Sequence, residues 1–172
     1  MPSGLVHDEF WRRGKGLAPI LAVASALITD SLPLVVSCNY SIGICVSGQT
    51  FLAFGVVAGY WYGRYITPDA DIAGLTTADG YLMNHFPIIG NLVVAYWTIY
   101  GTFMRRHHRS WITHGPVVST FIRHLFGFWW TGILMWNGWW GSWATYLLIG
   151  SFLGTCIPDT IHWWLDKTYG GE

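Results

Sequence analysis

Residues 139–164 read WWGSWATYLLIGSFLGTCIPDTIHWW, a run whose one formal charge is Asp159. A mainly apolar stretch near 20 residues matches the hydrocarbon thickness of a bilayer when helical. This run therefore reads as a transmembrane helix, and the rest of the 172-residue, 19.4 kDa chain supports that environment. Only 10% of its residues are charged, whereas soluble domains carry about 25%. Apolar residues make up 52%, and 12 Trp, 9 Tyr and 9 Phe raise the aromatic share to 17%. Nine basic side chains balance nine acidic ones, so there is no cationic footprint for nucleic acid. The three cysteines, Cys38, Cys45 and Cys156, are too few for a disulfide scaffold and form no CxxC pair.

Three further stretches read as spans: 17–36, 42–66 and 116–136. The third carries Arg123 and His124, so one of its faces is expected to meet protein rather than lipid. A fifth apolar stretch, 86–104, decides the topology. Arg12, Arg13 and Lys15 precede the first span, Arg64 closes the second, Arg105, Arg106 and Arg109 precede the third, and Lys167 follows the fourth. The loops 37–41 and 137–138 carry no Lys or Arg. Positive charge collects on the cytoplasmic side, which puts both termini there if 86–104 is re-entrant or interfacial. The start MPSGLVHDEFWRRGKG lacks a small-residue cleavage site, so the first helix is expected to stay in the mature protein. The fold expected is all-α: a single integral membrane domain over 1–172, with four transmembrane helices plus one re-entrant or interfacial helix. Trp129, Trp130, Trp136, Trp139, Trp140 and Trp143 crowd the third-to-fourth turn and read as an interfacial aromatic belt, with a ligand-stacking site as the alternative.

The polar residues fall on this map in four groups. His7 and Asp8 precede the first span; Asp69 and Asp71 follow the second; His107, His108 and His114 precede the third; Asp159, His162 and Asp166 end the fourth. All four groups reach one membrane face, and ionisable groups so placed mark a site. Asp69 and Asp71, two apart after Pro68, point both carboxylates one way in an extended turn, and a cation relieves their repulsion. Asp159, His162 and Asp166 form one helical stripe. Thr113 or Gly115 is expected to cap the third span, with Pro116 in its first turn. Imidazole and carboxylate together suit a divalent transition metal: zinc first, manganese or iron as alternatives. The ligand candidates are His7, Asp69, Asp71, His108, His114, His162 and Asp166. Seven exceed what one tetrahedral ion needs, so one or two ions are expected. Each group also has a plainer reading: a helix-start pair, solvated acids, a basic surface loop or an exposed helix end. His85 and His124 read as structural, and Asp30 and Asp79 stay unexplained.

At these residues the chain resembles a family of membrane proteins predicted to bind metal. Its members begin Ser-Gly-x-x-His-Asp, then carry Pro-Asp-x-Asp, His-Arg-Ser-Trp-x-Ser/Thr-His-Gly-Pro and a terminal His-x-x-x-Asp. Here these are Ser3 to Asp8, Pro68 to Asp71, His108 to Pro116 and His162 to Asp166. The family is similar in turn to the YdjM-like membrane-bound metal-dependent hydrolases. The resemblance implies that the seven candidates form the shared polar set. The chain departs from the pattern at His107, where proline is common, and before the last His, where Pro158-Asp159-Thr160-Ile161 stands.

The function expected is metal-dependent hydrolysis at the cytoplasmic membrane face. Asp8 or Asp159 would orient a ligand or act as base, and Arg109, with Arg105 or Arg106, would hold an anionic group. A lipid-like or phosphorylated substrate suits that position. The alternative is a non-enzymatic membrane protein whose metal ties helix ends together, alone or within a larger assembly. A redox or transport role fits less well: haem would need histidine pairs deep in facing spans, and a transporter needs polar residues at the midplane. Cys38 and Cys45 lie near the outer side and are able to pair if it is oxidising.

Overall fold

Three glycines, Gly55, Gly59 and Gly63, recur every fourth residue in one helix and therefore share one face. In the structure, a computed structural model, that face is where two helix backbones touch. The residues described are 20, 24, 36–39, 44–65, 77–107, 110–137 and 141–169. Two short strands, β1 (Val36–Asn39) and β2 (Ile44–Ser47), pair antiparallel with Cys38 opposite Cys45. The helices are α1 (Gly48–Tyr65), α2 (Thr77–His85), α3 (Pro87–Met104), the single turn α4 (Trp111–His114), α5 (Val118–Trp136) and α6 (Ser142–Tyr169). A 3-10 turn, Arg105–His107, follows α3. The fold is helical, as expected, with one hairpin added.

That hairpin corrects the expected second helix. The helix does not begin at 42; Ile44–Ser47 is strand, and α1 starts at Gly48. The sequences VSCN and ICVS hold three β-branched residues, which favours a pleated pair over a helical turn. The helix α2 is an addition to the expected elements. Its Asp79 lies in the first turn, where a carboxylate is favoured by the helix dipole.

Packing sets the directions. A Cβ at Gly59 would fall 2.0 Å from the Ser151 carbonyl oxygen, and one at Gly154 would fall 2.1 Å from that of Val56. Gly48 faces Tyr146, Gly59 faces Ser151, and Gly63 faces Thr155 and Pro158. The partner numbers rise together, so α1 and α6 run parallel at backbone contact, a geometry that only small residues permit. Thr155 Oγ1 closes the seam by donating to the carbonyls of Gly59 (3.0 Å) and Ser151 (2.8 Å). Helix α5 runs antiparallel to α6, because Thr120 meets Asp159 while His124 meets Ser151. Helix α3 runs antiparallel to α5, because Tyr100 packs on Phe126 while Tyr96 meets Trp129. The C-terminal ends of α1, α3 and α6 and the start of α5 therefore share one end of the molecule. The hairpin lies at the other.

Helix α5 is kinked at Phe128, whose φ of −120° and ψ of 15° leave the helical range. A kink frees carbonyls, and neighbours must re-satisfy them. Tyr96 Oη donates to the Phe126 carbonyl (2.5 Å), Trp130 Nε1 to that of Gly127 (3.0 Å) and Thr131 Oγ1 to that of Phe128 (2.5 Å). Tyr96→Phe removes one of these donors. It is expected to lower stability by about 0.5–1.5 kcal/mol, measured by unfolding in detergent.

One helical stretch among the described residues, Trp143–Thr168 with mean hydropathy 1.2, is long and apolar enough to cross a membrane. Large apolar side chains elsewhere face outward. Ile88, Ile89, Leu92, Ile99 and Phe103 line α3, and Phe121, Leu125, Trp129, Ile133 and Trp136 line α5. Trp143 is also exposed.

Candidate functional site

The site end is built around a buried charge pair. Arg123 Nη2 lies 2.5 Å from Asp159 Oδ2, with the two side chains only 4% and 2% exposed. Isolated buried charges are expensive, and a pair persists only when further hydrogen bonds complete it. Thr120 Oγ1 donates to the same carboxylate oxygen (2.5 Å), and Arg123 Nη2 also donates to Ser119 Oγ (3.0 Å). Arg123 Nη1 reaches the Thr113 carbonyl at 3.4 Å. Thr113 in turn donates from Oγ1 to the His107 carbonyl (2.6 Å). One guanidinium thus joins α6, the first turns of α5 and the short helix α4. The expectation that Arg123 faces protein is met by this pairing.

Helix α4 is itself a departure. Thr113 or Gly115 was expected to cap the helix that became α5. Instead Trp111–His114 forms its own turn, Gly115 ends it, and α5 starts at Val118. The reason is local. Gly115 N–H donates to the Trp111 carbonyl (2.8 Å), and Thr113, only 1% exposed, turns its hydroxyl to the His107 carbonyl (2.6 Å) and its own carbonyl to Arg123. The chain then turns through Val117, whose φ of 70° is unusual for a β-branched residue. Such outliers persist where the surroundings over-determine them.

On α6, Asp159 and His162 are both buried, at 4% and 8% exposed. This excludes the exposed-helix-end reading for those two. His162 Nε2 lies 3.3 Å from Asp166 Oδ2, and that carboxylate is one-third exposed. So the structure brings two of the seven ligand candidates together and leaves one edge of the pair open to the surroundings. His7, Asp8, Asp69, Asp71, His108 and Arg109 lie outside the described residues, as does the His114 side chain; His114 itself ends α4. Among the described residues no group of three His, Cys, Asp or Glu side chains comes together. Asp159 is engaged by Arg123 and Thr120 rather than by His162.

The two histidines read as structural sit as follows. His85 stacks on Tyr81 at 4.0 Å on the surface. His124 is 8% exposed and hydrogen-bonded through Nδ1 to the Thr120 carbonyl (3.1 Å) and through Nε2 to Ser151 Oγ (3.3 Å). It also borders a groove of about 470 Å³ between α5 and α6, walled by Phe121, Leu125, Phe128, Leu148 and Phe152. The groove extends along α5 from Phe121 to Gly132 and along α6 from Phe152 to Leu148.

Sequence reasoning missed two features. One is the Arg123–Asp159 pair, since nothing in local spacing links residues 36 apart. The other is the Gly55-x-x-x-Gly59-x-x-x-Gly63 stripe, which was readable as a helix-contact motif. No known family profile, curated protein or solved structure matches the chain.

Proposed function

We propose that this chain is a polytopic membrane protein with a divalent-metal site at the end where α1, α3 and α6 finish, and that the site serves hydrolysis. The observation that carries the reading is the Arg123 latch. It ties α4, the core of the HRSWITHGP element, to the helix that carries His162 and Asp166, the terminal HxxxD element. Two sequence elements far apart in the chain are thereby held at one end.

Membrane embedding is supported by the apolar span in α6 and the outward apolar stripes of α3 and α5. Exposed patches of that extent belong to interfaces or bilayers. Helix α3, 18 residues and about 27 Å long, finishes at the same end as α1. That common end supports a re-entrant α2–α3 unit, both termini in the cytoplasm and an oligomer or larger assembly left open.

The donor chemistry fits a transition metal. His162 and Asp166 supply imidazole and carboxylate side by side, the mixed set that suits zinc, manganese or iron. His7, Asp69, Asp71, His108 and His114 are the further ligands proposed, for one or two ions. A metal bound there supplies a water of lowered pKa and polarises the scissile group. Asp159 acts as a positioning residue through Arg123 and Thr120, and Asp8 is the proposed base. Arg109, with the exposed Arg105 or Arg106, binds the anionic group of a phosphorylated substrate. The apolar groove between α5 and α6 accommodates the hydrocarbon part of a lipid-like one.

The test is elemental analysis of the detergent-purified full chain, wild type beside Asp69→Ala, His114→Ala and His162→Ala. The expected result is about one or two metal equivalents in wild type and loss in all three variants. Absence of stoichiometric metal from the wild type after repletion ends the reading. Metal retained without phosphoester or lipid hydrolysis assigns it a structural role instead.

A further inference from the structure

We propose that Cys38 and Cys45 form a disulfide that staples the β1–β2 hairpin at the end of the molecule opposite the charge pair. The two residues are direct partners in the antiparallel register, flanked by Ser37 opposite Val46 and Asn39 opposite Ile44. Directly opposed residues have Cα atoms about 4.5–5.5 Å apart in either kind of antiparallel pair. That range lies inside the roughly 4.4–6.8 Å that a disulfide spans. The third cysteine is out of reach. Cys156 is a free thiol on α6. It lies ten residues beyond Tyr146, the residue that faces Gly48 at the hairpin end, which is about 15 Å along the helix axis.

Three further observations point the same way. A two-stranded hairpin on its own is marginal in water, and this one has no third strand among the described residues. The segment joining its strands carries no Lys or Arg, while the opposite end carries Arg64, Arg105 and Arg106. By the rule that positive charge stays cytoplasmic, the hairpin faces the non-cytoplasmic side, where disulfides persist in oxidising compartments.

The chemistry balances with a disulfide-bearing oxidoreductase as the oxidant. One cysteine thiolate attacks the oxidant's disulfide and displaces one of its sulfurs as a thiol. The second cysteine then attacks the mixed disulfide and releases the other. The hairpin loses two electrons and two protons, and the oxidant leaves as a dithiol.

The experiment traps thiols with N-ethylmaleimide in denaturant at lysis, then measures the intact mass of the full-length protein directly and again after reduction and a second N-ethylmaleimide treatment. The expected result is one adduct before reduction, on Cys156, and three after it. Peptide mapping joins Cys38 to Cys45. Cys45→Ser raises the count before reduction to two. Three adducts before reduction, a linkage to Cys156 or a reductant-sensitive dimer each overturn the proposal. The readout is independent of metal content, so its failure and that of the hydrolase reading are separable.

Discussion

Gly59→Ala is expected to lower the stability of the folded chain, although alanine is the better helix former. On propensity alone the change favours the helix by about 1 kcal/mol. Against that, the new methyl would sit 2.0 Å from the Ser151 carbonyl oxygen and 2.7 Å from its Cα. Both are backbone atoms of a helix that cannot swing aside as a side chain does. Overpacking of this kind costs about 1–3 kcal/mol, and more when the obstacle is rigid. The seam between α1 and α6 must widen, which also stretches the Thr155 hydrogen bond to the Gly59 carbonyl. Gly132→Ala is the control, since a Cβ there meets nothing within 4 Å. Thermal unfolding in one detergent is expected to shift the two variants in opposite directions, Gly59→Ala down and Gly132→Ala up. Equal shifts would mean that the close approach of α1 and α6 does not stabilise the protein.

The second large effect is at the charge pair. Arg123→Ala leaves the Asp159 carboxylate, 2% exposed, with Thr120 but without its counter-charge. Breaking a buried pair from one side costs about 3–5 kcal/mol, whereas replacing both members by apolar residues is often neutral. Arg123→Ala and Asp159→Ala are each expected to unfold well below wild type. The double substitution Arg123→Met with Asp159→Leu is expected to recover much of the loss. That recovery separates stability from function. If the latch positions α4 for metal binding, the double variant folds yet holds less metal, because the Arg123 hydrogen bond to the Thr113 carbonyl is then lost. A double variant as unstable as the singles would show that the pair does more than neutralise itself.

The helices were legible because their signal is local. The runs at 116–136 and 86–104 match α5 and α3 within two residues, and the fourth run overlaps α6, which continues to Tyr169. The hairpin was not legible in an apolar stretch. Val, Ile and Cys satisfy a membrane helix and a strand equally, and only pairing between 36–39 and 44–47 decides. Of the site, the burial of Arg123 and the stripe of Asp159 and His162 on one helix followed from position. The partner of Arg123 did not, because a contact between residues 123 and 159 leaves no period in the sequence. The contact of Thr113 with that arginine is equally hidden, although its hydrogen bonds to His107 and Ser110 are local.

The parallel seam of α1 and α6 has a consequence for how the protein is made. Thr155 reaches Gly59 across 96 residues, and a ribosome adds about 5–20 residues each second. For roughly 5–20 s the glycine face of α1 is therefore complete but has no partner. A face without side chains leaves peptide groups uncovered, and an open seam of that kind invites other helices. Biogenesis of this protein thus contains a waiting period, ended only when α6 is delivered.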